Sequence, residues 1–131
     1  MEELFNLGLN EKDIYNILEI CPTIKELSKE EIKEKLDILD YLECNNRIKK
    51  NIIESNPNYL DRINIDILKL IKKLRNFGFS DINLLLDANP YILNLDDFEI
   101  ENYINKKIKE GENLEDIVSD LSSNPYLFNE I

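Results

Sequence analysis

Apolar residues recur along this chain with helical spacing, and proline breaks the pattern at almost regular intervals. Pro22, Pro57, Pro90 and Pro125 are separated by 35, 33 and 35 residues, the range of helical repeat units. Aligned on these prolines, the chain falls into register with itself. Ile14, Ile82 and Ile117 stand eight residues before the proline, with Ile48 displaced by one in the second copy. Leu18, Ile53, Leu86 and Leu121 stand four before it, and Ile24, Tyr59, Ile92 and Leu127 two after it. Ile32, Ile67 and Ile100 follow at ten, and Leu36, Ile71 and Ile104 at fourteen. Each copy therefore reads as a short helix, a proline turn and a longer helix.

The stretch from Leu74 to Leu93 holds the whole phrase. Leu74 closes an apolar stripe, and Gly78 supplies the left-handed residue that ends a helix. Ser80 is expected to N-cap the next helix, with Ile82, Leu85 and Leu86 on one face. Asn89-Pro90 stops that helix, because the residue before proline is steered out of the α region. Tyr91, Ile92 and Leu93 then form an apolar plug.

The same reading places a first short helix from about Asn10 to Ile20. A second helix, capped by Ser28-Lys29-Glu30-Glu31, runs to about Glu43 with the stripe Ile32, Leu36, Leu39. The second repeat begins near Arg47, with Asn45-Asn46 where the other repeats carry glycine, and its long helix runs from about Asn64 to Phe77. Asp96 or Asp97 caps the third long helix, which carries Ile100, Ile104 and Ile108 and ends at Gly111. A last short helix from Asn113 to about Ser122 leads to the plug Tyr126-Leu127-Phe128. This final segment is either a cap or the edge of a longer array. A helix pair cannot bury its apolar face alone, so neighbouring pairs must stack. The expectation is a single all-α domain over 1–131, an α-solenoid of about three and a half repeats (about 1–44, 45–77, 78–110 and a partial 111–131), its hand left open by pattern alone.

Composition narrows the picture. With 43% apolar and 33% charged residues, three Gly and four Pro in 131 residues, the chain is globular and too poor in turn residues for an all-β fold. The net charge of −11 is unevenly spread. Residues 1–46 hold five basic and twelve acidic groups, residues 47–109 eleven and nine, and residues 110–131 none and six. A weakly basic middle thus lies between acidic ends. No apolar run approaches the ~20 residues of a membrane span. Met1-Glu2-Glu3 has the character of neither a secretory nor an organelle-targeting segment, which points to a soluble cytoplasmic protein with no membrane partner. Cys21 and Cys44 read as small buried hydrophobes in a reducing compartment.

The phrase Phe77-Gly78-Phe79 followed by Leu85-Leu86-Asp87-Ala88-Asn89-Pro90-Tyr91-Ile92-Leu93 resembles the repeat of the mTERF family of mitochondrial transcription termination factors. Leu7-Gly8-Leu9 with Ile17-Leu18-Glu19-Ile20-Cys21-Pro22 is a second copy, and Asn124-Pro125-Tyr126-Leu127 keeps the end of a third. The resemblance covers essentially the whole chain. It implies a left-handed helical superhelix with a 3₁₀ turn at each proline. It also implies nucleic-acid binding along a basic surface, with roles in transcription and RNA maturation. This chain departs from the family pattern in its acidity, in lacking a transit peptide and in its small number of repeats. The matching residues are structural, so no base-reading residue carries over.

Catalytic chemistry finds little support, and no cofactor motif appears. There is no histidine, the commonest general base and metal ligand. Two cysteines twenty-three residues apart do not make a zinc site. The three glycines lie too far apart for a phosphate loop. The acid pairs Asp96-Asp97 and Glu30-Glu31 fall at helix starts, where they complement the macrodipole. Tyr15, Tyr41, Tyr59, Tyr91, Tyr103 and Tyr126 fall mostly at plug or stripe positions, which favours core packing over base stacking.

The one constellation with binding character is basic. Lys69, Lys72 and Lys73 share a face of the second long helix at i, i+3, i+4 spacing. The third long helix offers Lys106 and, one turn on, Lys109. Arg75 and Lys107 at the helix ends can join them, whereas the first repeat carries Glu34 and Asp37 in this register. Stacked helices would gather these cations into one patch able to take DNA or RNA phosphates. Lysines near a helix C-terminus are equally the ordinary solvated residues that the dipole favours. The acidic ends suit a protein partner with a basic surface, or the basic middle of a second molecule.

Overall fold

The computed structural model describes residues 1–131. It contains eight α-helices, four 3₁₀ turns and no strand. The helices are α1 (Glu2–Asn6), α2 (Glu11–Ile20), α3 (Lys29–Tyr41), α4 (Asn46–Ser55), α5 (Asn64–Phe77), α6 (Ile82–Ala88), α7 (Asp97–Lys109) and α8 (Leu114–Ser123). The 3₁₀ turns begin at Pro22, Pro57, Pro90 and Pro125, so the all-α repeat of helix, proline turn and helix is present. Helix α1, a short piece ahead of the first glycine, is an addition to the sequence reading.

The same backbone device ends a helix in every repeat. Gly8, Gly78 and Gly111 have φ of 95°, 102° and 100°, a region open to glycine because it lacks a Cβ. The N–H of the following residue reaches back to the last turn: Leu9 to the Leu4 carbonyl at 3.3 Å, Phe79 to Leu74 at 3.1 Å, Glu112 to Lys107 at 3.1 Å. This is the Schellman arrangement, which usually closes over a hydrophobic pair. Leu4 with Leu9 and Leu74 with Phe79 are such pairs, all buried. At the last site the pair is ionic, Lys107 Nζ lying 3.7 Å from Glu112.

The second repeat corrects the sequence reading. The left-handed position belongs to Glu43 (φ 64°), with Cys44 N–H donating to the Leu39 carbonyl at 3.0 Å. Asn45 instead N-caps α4, its side chain accepting from Ile48 N–H at 2.9 Å. Asn10 and Asn113 cap α2 and α8 in the same way, at 2.9 and 2.8 Å. Ser80 is a second correction: α6 begins at Ile82, with Asp81 at its N-cap in the left-handed region (φ 50°) and no side-chain cap. The cause is spacing. Gly78 precedes its proline by twelve residues, whereas Gly8, Glu43 and Gly111 precede theirs by fourteen. The missing half-turn shortens α6 to seven residues against ten in α2, α4 and α8.

The chain forms two compact units, Met1–Asn64 and Ile65–Ile131. In the first, α1 packs on α3, and α2 on α4 and the second proline turn; the first two turns touch each other. Thr23 Oγ1 donates to Asp61 at 2.8 Å, tying those turns together. Leu4, Ile24, Ile32, Leu39, Ile52, Ile53, Tyr59 and Leu60 form the core. The Tyr59 hydroxyl donates to the Lys35 carbonyl at 2.5 Å. Burial raises the Tyr59 phenol well above the ordinary tyrosine range, with the Cys44 thiol adding to the rise. Burial pushes the Lys35 ammonium down, partly opposed by Glu34, Glu31 and Asp61.

In the second unit α7 packs on α8, α6 on the fourth proline turn, and the third and fourth turns touch. Asn89 is the buried tie. Its Nδ2 donates to the Pro125 carbonyl and to Asn129 Oδ1, both at 3.0 Å, while its Oδ1 accepts from Tyr91 N–H at 3.2 Å. Phe79 packs against Phe128 with ring centroids 5.6 Å apart.

The plugs are buried at Ile24, Tyr59, Ile92 and Leu93, but in the last repeat Phe128 takes the buried place and Leu127 is half-buried. The tyrosine expectation is corrected. Only Tyr59 is fully buried and Tyr103 is half-buried, whereas Tyr15, Tyr41, Tyr91 and Tyr126 are exposed. Tyr91 and Tyr126 directly follow proline, on the side of the 3₁₀ turn opposite its buried plug. Leu36 is half-buried and Ile108 exposed, so the long-helix stripes are narrower than their apolar residues suggest. Cys21 and Cys44 are buried free thiols, as the sequence implied.

Candidate nucleic-acid interface

All seven cations singled out from the sequence lie in the unit Ile65–Ile131, on α5 and α7. Helix α5 buries Ile67, Leu70, Ile71 and Leu74, so its opposite side faces water. Lys69, Lys72 and Arg75 are exposed there. Helix α7 buries Ile100 and Ile104 and leaves Lys106 and Lys109 exposed in its last turn, where cations complement the helix dipole.

The seven do not have the same surroundings. Lys73 is half-buried and reaches across to Glu101 on α7, 3.3 Å away. That ion pair bridges α5 and α7. Lys107 lies 3.7 Å from Glu112 and 5.6 Å from the centre of the Tyr103 ring. Coulombic attraction to the Tyr103 phenol, then to Glu112, holds the Lys107 ammonium above its ordinary range, and the ammonium also makes a cation–π contact with the ring. Arg75 also has a partner within the protein. Lys69, Lys72, Lys106 and Lys109 form no ion pair, and these are the cations available to an outside anion.

Sequence reasoning found the lysines but passed over their apolar neighbours. Ile65, Leu68 and Phe98 are 58%, 46% and 56% exposed, in the first halves of the same two helices. The signal was present: Ile65 and Phe98 each stand eight residues after a proline, off the buried stripe, where the first repeat has Glu30. A concavity of about 330 Å³ in this unit, between α6 and the fourth turn, is lined by Asp81 and Leu84 among others and by no basic group. It is not an anion pocket. No helix is long and apolar enough to cross a membrane.

Residues 1–127 match the family model described as mTERF. No curated protein and no solved structure gives a match.

Proposed function

This chain belongs to the mTERF family, and from that premise we propose that it is a non-enzymatic helical-repeat module that binds nucleic acid, with a role in transcription or RNA metabolism. The observation that carries the reading is the set of four exposed lysines without a protein counter-charge, Lys69, Lys72, Lys106 and Lys109, on two helices joined by the Lys73–Glu101 ion pair. Phosphates would supply the missing anions, each contact adding to a salt-dependent affinity. Arg75, Lys73 and Lys107 border this face and strengthen its potential even where they have partners of their own. The net charge of −11 works against any polyanion at long range, so affinity rests on this local face. The reducing cytoplasm suits the two free thiols.

Binding of labelled DNA and RNA to the parent, but not to a Lys72→Glu/Lys106→Glu variant with unchanged circular dichroism, would support this reading. Equal binding by both would sink it. A second reading is favoured by α8, where Glu115, Asp116 and Asp120 are exposed and no base occurs from 110 to 131. That surface would take a protein partner of basic character, and such a partner would bind the double variant as well as the parent.

A further inference from the structure

The exposed apolar side chains on α5 and α7 have no task in the fold. Ile65, Leu68 and Phe98 lie off the buried stripes and give nearly half or more of their surface to water. Two of them occupy the same register in adjacent repeats, on helices bridged by Lys73 and Glu101 at 3.3 Å. Ile65 and Leu68 are neighbours at i, i+3 on one helix face, and paired apolar exposure marks a binding surface more often than scattered single residues do. Lys69 follows Ile65 by one helical turn, roughly 6 Å along the axis, and Lys72 by two turns. Lys106 and Lys109 lie two and three turns beyond Phe98.

Charge along the two helices is graded. Asp66, Asp97 and Glu99 occupy the first turns, whereas the cations run from Lys69, near the middle of α5, to Arg75 in its last turn and fill the last turn of α7. An elongated ligand lying across α5 and α7 would therefore keep its anions over the middle and last turns and set something apolar and uncharged over the first turns. We propose that this surface takes single-stranded nucleic acid in preference to duplex, bases packing on Ile65, Leu68 and Phe98 while phosphates meet Lys69, Lys72, Lys106 and Lys109. The inference rests on the nucleic-acid reading above and deepens it. In a single strand the flat faces of the bases are free to pack on side chains, a contact that tolerates any sequence. In a duplex those faces are stacked inside, so the ledge would meet sugar and phosphate, and charged groups would lose water against an apolar surface.

The test is fluorescence anisotropy with a mixed-sequence single strand and its duplex, both as DNA and as RNA, at low salt. The parent runs beside Phe98→Ala and Lys72→Glu/Lys106→Glu, with anionic phosphatidylserine vesicles as a separate arm. Single strands should bind more tightly than duplex. Phe98→Ala should weaken single-strand binding about tenfold, as loss of one base-stacking contact does, and leave duplex binding unchanged. Because Phe98 is 56% exposed, its truncation leaves the core intact. The chain has no tryptophan, so Phe98→Trp adds a single reporter whose emission a stacked base should quench.

Duplex binding as tight as single-strand binding, or single-strand binding indifferent to Phe98→Ala, overturns the inference. The nucleic-acid reading survives that outcome if Lys72→Glu/Lys106→Glu still abolishes binding. Binding of vesicles without binding of any strand overturns both.

Discussion

Glu43 holds a backbone conformation that its side chain disfavours, at the position where three other repeats carry Gly8, Gly78 and Gly111. A non-glycine residue in the left-handed region costs roughly 1–2 kcal/mol, part of which glycine returns through its greater freedom when unfolded. Glu43→Gly is therefore expected to stabilise the protein by about 0.5–1 kcal/mol, read as a higher urea midpoint at unchanged slope. The substitution was hidden in the sequence because Asn45-Asn46 looks like a left-handed cap. The fourteen-residue distance from helix end to proline identifies Glu43 instead.

Tyr59 gives the pH dependence at this scale. Its phenol is raised in the folded state, so the folded protein keeps that proton to higher pH than the unfolded chain. Stability from this group is complete below the ordinary tyrosine value near 10 and falls as pH rises beyond it, by ~1.4 kcal/mol per unit. Tyr59→Phe removes the donor to the Lys35 carbonyl and should cost ~1 kcal/mol at neutral pH. Its alkaline decline should then be shallower than the parent's, measured by denaturant titration between about pH 9 and pH 11.

Among the elements, the long helices were legible because each presents one apolar stripe and a cap or glycine at its end. The sequence reading placed α5 at its observed bounds, Asn64–Phe77. What it missed follows from geometry that composition does not encode. The late start of α6 comes from the two-residue shortening before Pro90. The exposure of Tyr91 and Tyr126 depends on which side of a 3₁₀ turn the residue after proline faces. The tie between turns was equally invisible, since it joins residues 36 and 40 positions apart: Asn89 to Pro125 and Asn129. Asn89 is 1% exposed, so truncating it leaves a buried carbonyl and a backbone N–H without their partner. Asn89→Ala should cost ~2–3 kcal/mol, with Asn89→Asp failing to restore it because a carboxylate cannot donate to the Pro125 carbonyl. Thermal unfolding of the pair distinguishes this tie from simple loss of volume.

Across the whole molecule, charge is partitioned along the chain: the acidic ends flank a middle that carries eleven of the sixteen basic residues. Helical periodicity alone was enough to put Lys69, Lys72, Lys106 and Lys109 on water-facing sides. It could not show that Lys73 and Lys107 spend their charge on Glu101 and Glu112, because the first pairing joins different helices and the second crosses a glycine step. The family match over residues 1–127 supplies the expectation of nucleic-acid binding, and the four unpaired lysines are the location proposed for it. The most direct test is a salt titration of the parent's affinity for labelled nucleic acid. Four phosphate contacts predict a log–log slope of roughly −3 on single strands and about −3.6 on duplex, with no binding left to titrate in Lys72→Glu/Lys106→Glu. A flat salt dependence, or no binding even at low salt, would contradict the account.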